Sequence, residues 1–164
     1  MLLKIVNELN LNAEPEEVWS LLRDTPRLAA LLPGVESVSP AKDAAVEAYN
    51  ARAVDKIGPF KVSFDMEVRI TDAQPPCTLK ASIKGADSLG LNRLTGAFTI
   101  RLSPVPSATL MNFEADVEIL GKLATLGAVP VRRRASDKFA EFARNIQAQF
   151  APSPESKPPL KDRL

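Results

Sequence analysis

The sequence contains no histidine and only one cysteine, Cys77. Without histidine the chain cannot build a Ser-His-Asp or Cys-His nucleophile, and it lacks the usual ligand of zinc and non-haem iron sites. A single cysteine forms neither an internal disulfide nor a metal-binding cluster, and it fits a reducing compartment. We therefore predict neither a metal nor a cofactor, and we assign no catalytic residue.

Aromatic residues and unbalanced charge are also scarce. Phenylalanine, tryptophan and tyrosine together make up 5% of the chain, which argues against the stacking platforms of proteins that bind single strands. The 21 basic and 20 acidic side chains almost cancel, so the composition indicates no polyanionic partner. We therefore expect no nucleic-acid partner.

A long apolar run is missing as well. The opening MLLKIVNELNLN carries charges at Lys4 and Glu8, unlike the apolar core of a signal peptide. No window approaches the ~20 apolar residues that a membrane-spanning helix needs. We expect a cytoplasmic protein whose contact with the inner face of the cell membrane is at most peripheral.

The chain is instead rich in strand patterns, and its 164 residues suit a single domain. Residues 2–11 alternate at period two and predict a first strand. Residues 12–32 have a helical pattern interrupted by Asp-Thr-Pro at residues 24–26, which predicts two short helices. From residue 35 to about residue 119 the pattern is nearly all strand, and residues 60–71 alternate strictly between apolar and polar.

Helical periodicity returns after Gly121. Gly127 and Pro130 interrupt it, so we predict a short helical piece, a break, and a long helix over about residues 132–150. The polar, proline-rich residues 151–164 predict a disordered tail. The predicted domain, residues 1–150, is an α+β fold in which a curved antiparallel sheet of about seven strands wraps around the long helix.

A sheet curled around one helix encloses space unless large side chains fill it. Small residues recur at the predicted inward positions, among them Ala53, Ala81, Gly96 and Ala115. An unfilled interior costs about 24 cal/mol per Å³ of cavity unless a ligand occupies it, so these residues favour an apolar ligand pocket. The alternative is that the backbone closes in around the small residues and leaves a solid core.

Three strings of the sequence resemble the CoxG family of carbon monoxide dehydrogenase subunits, a branch of the START-like superfamily. They are EPEEVWSLLRDTPRLAALLPGVESV, VDKIGPFKVSFDMEVRITD and VEILGKLATLG, and the resemblance covers about residues 1–150. It implies a helix-grip fold, as in START-like and Bet v 1-like proteins, with a cavity between the sheet and the C-terminal helix.

The same resemblance implies a function. Proteins of this family are accessory proteins of molybdenum hydroxylases such as carbon monoxide dehydrogenase, which they help to recruit to the membrane. Because such enzymes pass electrons onward, the resemblance implies a hydrophobic small molecule, a quinone or a lipid-like compound, as the ligand. A molybdenum hydroxylase is the implied protein partner.

The expected lining of this cavity is a set of apolar side chains from the second helix, the sheet and the last helical segments. These are Leu28, Leu31, Leu32, Phe64, Met66, Phe98, Met111, Phe113, Leu123, Leu126 and Phe139. Asp55 and Glu47 are the polar candidates in the cavity, because they fall in register with apolar neighbours. A bulge or a register shift at Gly58-Pro59 would instead leave both carboxylates in water, and this is the commoner outcome.

The remaining charged motif is the run Arg132-Arg133-Arg134. Three successive residues of a helix point in three directions, and the start of a helix does not favour cations. We therefore expect a solvated face here rather than a phosphate-binding surface.

Two other functions remain open at this point. A small START-like enzyme of the cyclase or hydrolase type would act on an apolar substrate through Asp55, Glu47, Tyr49 or Lys56, since histidine is absent. A protein-interaction module with a solid core would need no ligand at all.

Overall fold

The computed structural model describes residues 1–42 and 45–151. Of the predicted C-terminal tail, residues 152–164 lie outside the described residues. The elements follow one another as β1 (Leu2–Leu11), α1 (Pro15–Arg23), α2 (Thr25–Leu31), β2 (Val35–Pro40), β3 (Ala48–Ile57), β4 (Phe60–Gln74), β5 (Thr78–Asp87), β6 (Asn92–Val105), β7 (Ala108–Gly121), a 3₁₀ turn (Lys122–Leu126) and α3 (Ala128–Gln149).

The strands form one antiparallel sheet of seven, in the order β1-β7-β6-β5-β4-β3-β2. Strands β2 to β7 pair in sequence order. Strand β1 pairs along its whole length with β7 and forms the edge of the sheet opposite β2. This confirms the predicted seven-stranded antiparallel sheet, the two short helices after the first strand, and the long C-terminal helix.

The strict alternation of residues 60–71 has the predicted effect on β4. Val62 and Phe64 are buried on the face that looks toward α3, whereas Lys61 and Asp65 are exposed on the other face. Since side chains on a strand alternate between the two faces, one face of the sheet is apolar and the other wet. We call the apolar face the inner face.

The turn between α2 and β2 requires glycine. Gly34 has φ +78, and a Cβ there would lie 2.6 Å from the carbonyl oxygen of Val54 on β3. The side chain of any other residue would collide with this backbone atom. The helix therefore ends at Leu31 and the chain turns directly into β2, which begins at Val35.

The break before the last helix lies at Gly127 rather than at Pro130. Gly127 has φ +80, and α3 begins immediately afterwards at Ala128. Pro130 lies in the first turn of α3, where a missing N–H costs no intrahelical hydrogen bond. The predicted short helical piece and the break at Gly127 are confirmed, whereas Pro130 does not interrupt the helix and the predicted start near residue 132 was wrong.

No helix in residues 1–42 and 45–151 is both long enough and apolar enough to cross a membrane.

Candidate functional site

The buried apolar side chains form two separate clusters instead of one continuous core. The first cluster joins α1, α2 and one end of the sheet to the later part of α3, and its most buried members are Leu11, Val18, Leu21, Met111 and Ile146. The second cluster joins the other end of the sheet to the 3₁₀ turn and the start of α3, and it consists of Leu3, Val62, Phe64, Ile119, Leu123 and Val131.

Between the two clusters the inner face is only partly buried. Ile5, Val68 and Ile83 lie on this face, paired across the sheet with Ala115, Tyr49 and Gly96, and each keeps part of its surface accessible. A close-packed core buries such side chains almost completely. Water therefore reaches part of the inner face between the clusters, although Ala81 and Ala115 on the same stretch are buried, and we call this stretch the interval.

The path of α3 explains this interval. Within the described residues, the backbone of α3 approaches β1 most closely and also comes near β3, whereas the strands between them have fewer close approaches. A sheet that curves around a helix touches it at the margins and stands away from it in the middle. In the middle of the sheet, contact with α3 is therefore made by side chains.

Aromatic rings make part of this connection. The ring centroids of Phe98 and Phe113 lie 5.8 Å apart, and Phe113 lies 5.7 Å from Phe139 on α3. Phe142, one turn later on α3, lies 6.0 Å from Phe139. These distances are typical of favourable aromatic pairs, so the rings form one wall of the interval beside the first cluster.

The predicted lining residues divide between the two clusters. The first cluster contains or contacts Leu28, Leu31, Phe98, Met111, Phe113 and Phe139. The second contains or contacts Phe64, Met66, Leu123 and Leu126. Leu32 lies at the end of α2 and is half-buried. The contact of these residues with a ligand stays a prediction, and the half-buried ones, which keep accessible surface, suit it best.

Asp55 lies on the inner face of β3. The pairing of β3 with β4 continues without a bulge from Ala48 to Ile57, and Asp55 lies opposite the buried Val62. The register shift that was expected to place this carboxylate in water does not occur. The tight turn at Gly58-Pro59 preserves the register because it adds no residue to either strand.

Two cations of α3 hold this carboxylate. Arg134 donates hydrogen bonds from Nη2 at 2.6 Å and from Nε at 3.0 Å, and the Nζ of Lys138 lies 3.6 Å from Oδ1. The Asp55 side chain is 20% exposed. Partial burial raises the pKa of Asp55, but the hydrogen bond from Arg134 and the nearby cations outweigh burial and lower the pKa below its ordinary value.

These three residues, the Asp55–Arg134–Lys138 cluster, contain two cations and one anion. The cluster therefore carries one excess positive charge and has N–H groups that Asp55 does not use. Neither cation was predicted from the sequence as a partner of Asp55. The run of arginines was expected to form a solvent-exposed face, and Lys138 was not singled out. That expectation is correct for the exposed Arg132 and Arg133 and wrong for Arg134. The i, i+4 spacing of Arg134 and Lys138 was the available signal.

Glu47 lies in a different place, at the exposed start of β3. It accepts hydrogen bonds from Arg23 Nη2 and from the Tyr49 hydroxyl, both at 2.5 Å. Partial burial raises the pKa of Glu47, but the bonds from Tyr49 and Arg23 lower it overall. Glu47 thus ties the end of α1 to β3, and its side chain is too exposed to sit among buried apolar groups.

The outer face of the sheet has a shallow depression of its own. It is open to solvent and lies over β2 to β6, and its lining combines charged side chains such as Arg52, Asp65 and Lys84 with the apolar Met66 and Ala86. Its charges compensate one another, as in the 3.1 Å pair of Arg52 with Asp65. Across the two described ranges, acidic residues and cysteine form no group able to hold a metal ion.

Comparison with protein families identifies the CoxG family of carbon monoxide dehydrogenase subunits. The chain matches the sequence profile of this family over residues 8–151. None of the curated proteins matches the sequence.

Solved structures share the fold. A conserved protein from Geobacillus kaustophilus is 25% identical, with a TM-score of 0.80 and coverage of 90% of this chain and 95% of that chain. A START superfamily protein from Mycobacterium smegmatis is 13% identical, with a TM-score of 0.65 and coverage of 90% and 96%. A truncated norcoclaurine synthase from Thalictrum flavum is 15% identical, with a TM-score of 0.61 and coverage of 91% and 93%. The predicted START-like, helix-grip fold is confirmed.

Proposed function

Because the chain belongs to the CoxG family of carbon monoxide dehydrogenase subunits, we propose that it is a non-catalytic accessory protein that holds a hydrophobic small molecule in the interval. The ligand is a quinone or a lipid-like compound. The protein assists a molybdenum hydroxylase such as a carbon monoxide dehydrogenase, and it does so at the membrane surface, where such ligands reside.

The observation that carries this proposal is the incomplete burial of the inner face between the two clusters. Apolar side chains that keep accessible surface under a covering helix favour binding of an apolar molecule, since its entry removes that surface from water. The aromatic wall of Phe98, Phe113 and Phe139 suits a flat or elongated apolar group.

The Asp55–Arg134–Lys138 cluster supports a ligand with one polar end. Arg134 and Lys138 reach from α3 to the inner face of β3, and their unused N–H groups can donate to a carbonyl or another oxygen acceptor. A quinone ring carries such oxygens at the end of an apolar body. The cluster would therefore fix the orientation of the ligand, while the apolar walls supply the affinity.

The alternative, a small enzyme acting on an apolar substrate, has less support. General acid or base catalysis near neutral pH is served best by a carboxyl group with a raised pKa. Asp55 and Glu47 have lowered pKa values, because each accepts hydrogen bonds from an arginine. Both are thereby stabilised as ions in structural pairs, and neither is prepared for proton transfer.

Titration with decylubiquinone tests the proposed binding. Trp19 is the only tryptophan and packs against the first cluster, so quenching of its fluorescence reports quinone uptake, and native mass spectrometry reports stoichiometry. Ala53→Leu should weaken binding about tenfold, because Ala53 is half-buried on the inner face beside Phe64 and two residues from Asp55, where a larger side chain crowds the polar end of the proposed site.

Ala97→Leu is the matched control, since Ala97 is exposed on the outer face of the sheet. It should leave the affinity unchanged. Equal affinity of the wild type and both variants would contradict a site in the interval. Failure of the wild-type protein to take up any quinone or co-purifying lipid would reject the ligand.

A further inference from the structure

Large exposed apolar side chains are concentrated at one end of the molecule. Leu89 is 79% exposed in the β5–β6 turn, and Val129 is 64% exposed at the start of α3. Leu91, beside Leu89, is also exposed, as are Leu2 and Leu120 on the adjoining outer face. Isolated exposed leucines are common, but a group at one end indicates an interaction surface.

Three segments build this end, and hydrogen bonds and packing hold them together. They are residues 56–61, 88–91 and 121–134, and we call them the hairpin end. Asn92 accepts from the backbone N–H of Leu123 at 2.7 Å, and the backbone N–H of Lys122 donates to the carbonyl of Leu91 at 3.2 Å. The backbone that carries the exposed Leu89 and Leu91 is therefore held against the segment that carries Val129.

The charge of the hairpin end has one sign. Its three segments contain six of the chain's 21 basic residues and none of its 20 acidic residues. Arg134 is used by Asp55, but Lys56, Lys61, Lys122, Arg132 and Arg133 are exposed. Asp87, which flanks the β5–β6 turn, accepts from the Leu91 N–H and from Asn92 within the turn.

We infer that the hairpin end docks on an anionic lipid bilayer, with Leu89 and Val129 entering the headgroup boundary and the exposed lysines and arginines contacting lipid phosphates. This inference rests on the proposed function, since it names the surface through which the protein reaches a membrane-resident ligand. Exposed apolar side chains with cations around them suit an anionic bilayer. In such a bilayer the apolar acyl chains lie below the negatively charged headgroups.

The placement of the ligand site agrees with this orientation. The second cluster lies directly above the hairpin end, since Leu123 and Val131 belong both to that cluster and to the segment 121–134. Arg134 follows them on α3 and reaches Asp55. Docking at the hairpin end thus places the cation cluster and the interval close to the bilayer.

Flotation with lipid vesicles tests the inference on the full chain. Wild-type protein should bind vesicles of phosphatidylcholine with phosphatidylglycerol, and binding should fall with added salt. The expected change is a partition coefficient onto these vesicles that is lower by at least about tenfold. It applies to each of two double variants, Leu89→Ser/Val129→Ser and Lys61→Gln/Lys122→Gln. Vesicles of phosphatidylcholine alone should bind much less of the wild-type protein.

Matched controls come from elsewhere on the surface. Val46 is 49% exposed and lies between β2 and β3 at the opposite end of the sheet. Lys80 and Arg101 are exposed on the outer face. Val46→Ser and Lys80→Gln/Arg101→Gln should leave vesicle binding unchanged. Equal losses in test and control variants, or no preference for the anionic vesicles, would overturn the inference.

The outcomes separate this inference from the proposed function. Decylubiquinone binding in the absence of vesicles should be the same for the wild type and the hairpin-end variants. If the wild type binds quinone but not anionic vesicles, the docking surface is wrong and the proposed function stands. If the wild type binds vesicles but no quinone, the docking surface stands and the proposed ligand is wrong. If the hairpin-end variants lose only the capture of a molybdenum hydroxylase, the surface binds protein and the lipid inference is wrong.

Discussion

The two ends of the molecule differ in both packing and charge. At the end where α1 begins, residues 12–17, 41–42 and 45–47 and the turns at 75–77 and 105–108 contain four acidic residues and one basic residue. Both short helices pack against the first cluster there. The hairpin end has the opposite charge and exposes leucine and valine. The comparison indicates that one end closes the fold and the other is available for contact.

The largest expected effect comes from placing a charge in the closed end. Leu31 is 8% exposed within the first cluster, so Leu31→Asp should lower the free energy of unfolding by about 4 kcal/mol. It should also abolish quinone binding. Leu32 is half-buried at the end of α2, and Leu32→Asp should weaken quinone binding more than it lowers stability. Urea unfolding and quinone titration measure the two quantities, and equal losses of both in Leu32→Asp would make Leu32 ordinary core.

A moderate effect distinguishes the two clusters. Leu21 is fully buried in the first cluster, and Leu21→Ala should cost about 3 kcal/mol of unfolding free energy. Val131→Ala in the second cluster removes fewer carbon atoms and should cost about 1 to 2 kcal/mol. The unfolding free energies in urea test this order. A larger loss for Val131→Ala would mean that the hairpin end, rather than the α1 end, stabilises the fold.

The smallest effects concern the two carboxylates. Asp55→Asn should cost about 1 kcal/mol at pH 7, because it replaces a partly buried ion that Arg134 and Lys138 hold. The pKa of Asp55 lies below its ordinary value of 3.8 in the folded chain. Its contribution is therefore complete above that value and is lost as the pH falls through the folded-state pKa.

Glu47→Gln serves as the comparison for Asp55→Asn. Glu47 pairs with Arg23 in a more exposed position, so its replacement should cost no more than about 0.5 kcal/mol after solvent screening. Unfolding free energies of both variants at pH 7 and below pH 3.8 measure the difference. A larger cost for Glu47→Gln, or a cost for Asp55→Asn that does not decline in acid, would show that the Asp55 pairing is not the stabilising contact.

The sequence predicted the parts of the fold that depend on local pattern. The alternation of residues 60–71 determined β4 because one face of the strand had to be buried. The start of α3 was misplaced because a proline in a first turn and a proline that ends a helix look alike in sequence. Gly127 and Pro130 were both predicted to interrupt the helix, and the positive φ of Gly127 in the structure shows which of the two forms the boundary.

The candidate site was less accessible from sequence. Its polar part depends on Arg134 and Asp55, which are 79 residues apart in the chain, and their approach follows from how α3 crosses the sheet. Three adjacent arginines have the same local pattern, yet only one of them faces β3. Periodicity alone cannot make that choice, because the rotation of a helix about its axis is set by packing.

The pairing of β1 with β7 also governs when the sheet can be completed. The backbone at Met1 and the carbonyl of Ile119 meet across 118 residues of sequence, whereas β2 to β7 pair with their neighbours in the chain. During synthesis β1 is made before β7 and must wait for it, and contacts of such long sequence separation form slowly. The apolar side of β1 therefore stays uncovered in a nascent or refolding chain until β7 has formed, and in that period it is open to aggregation.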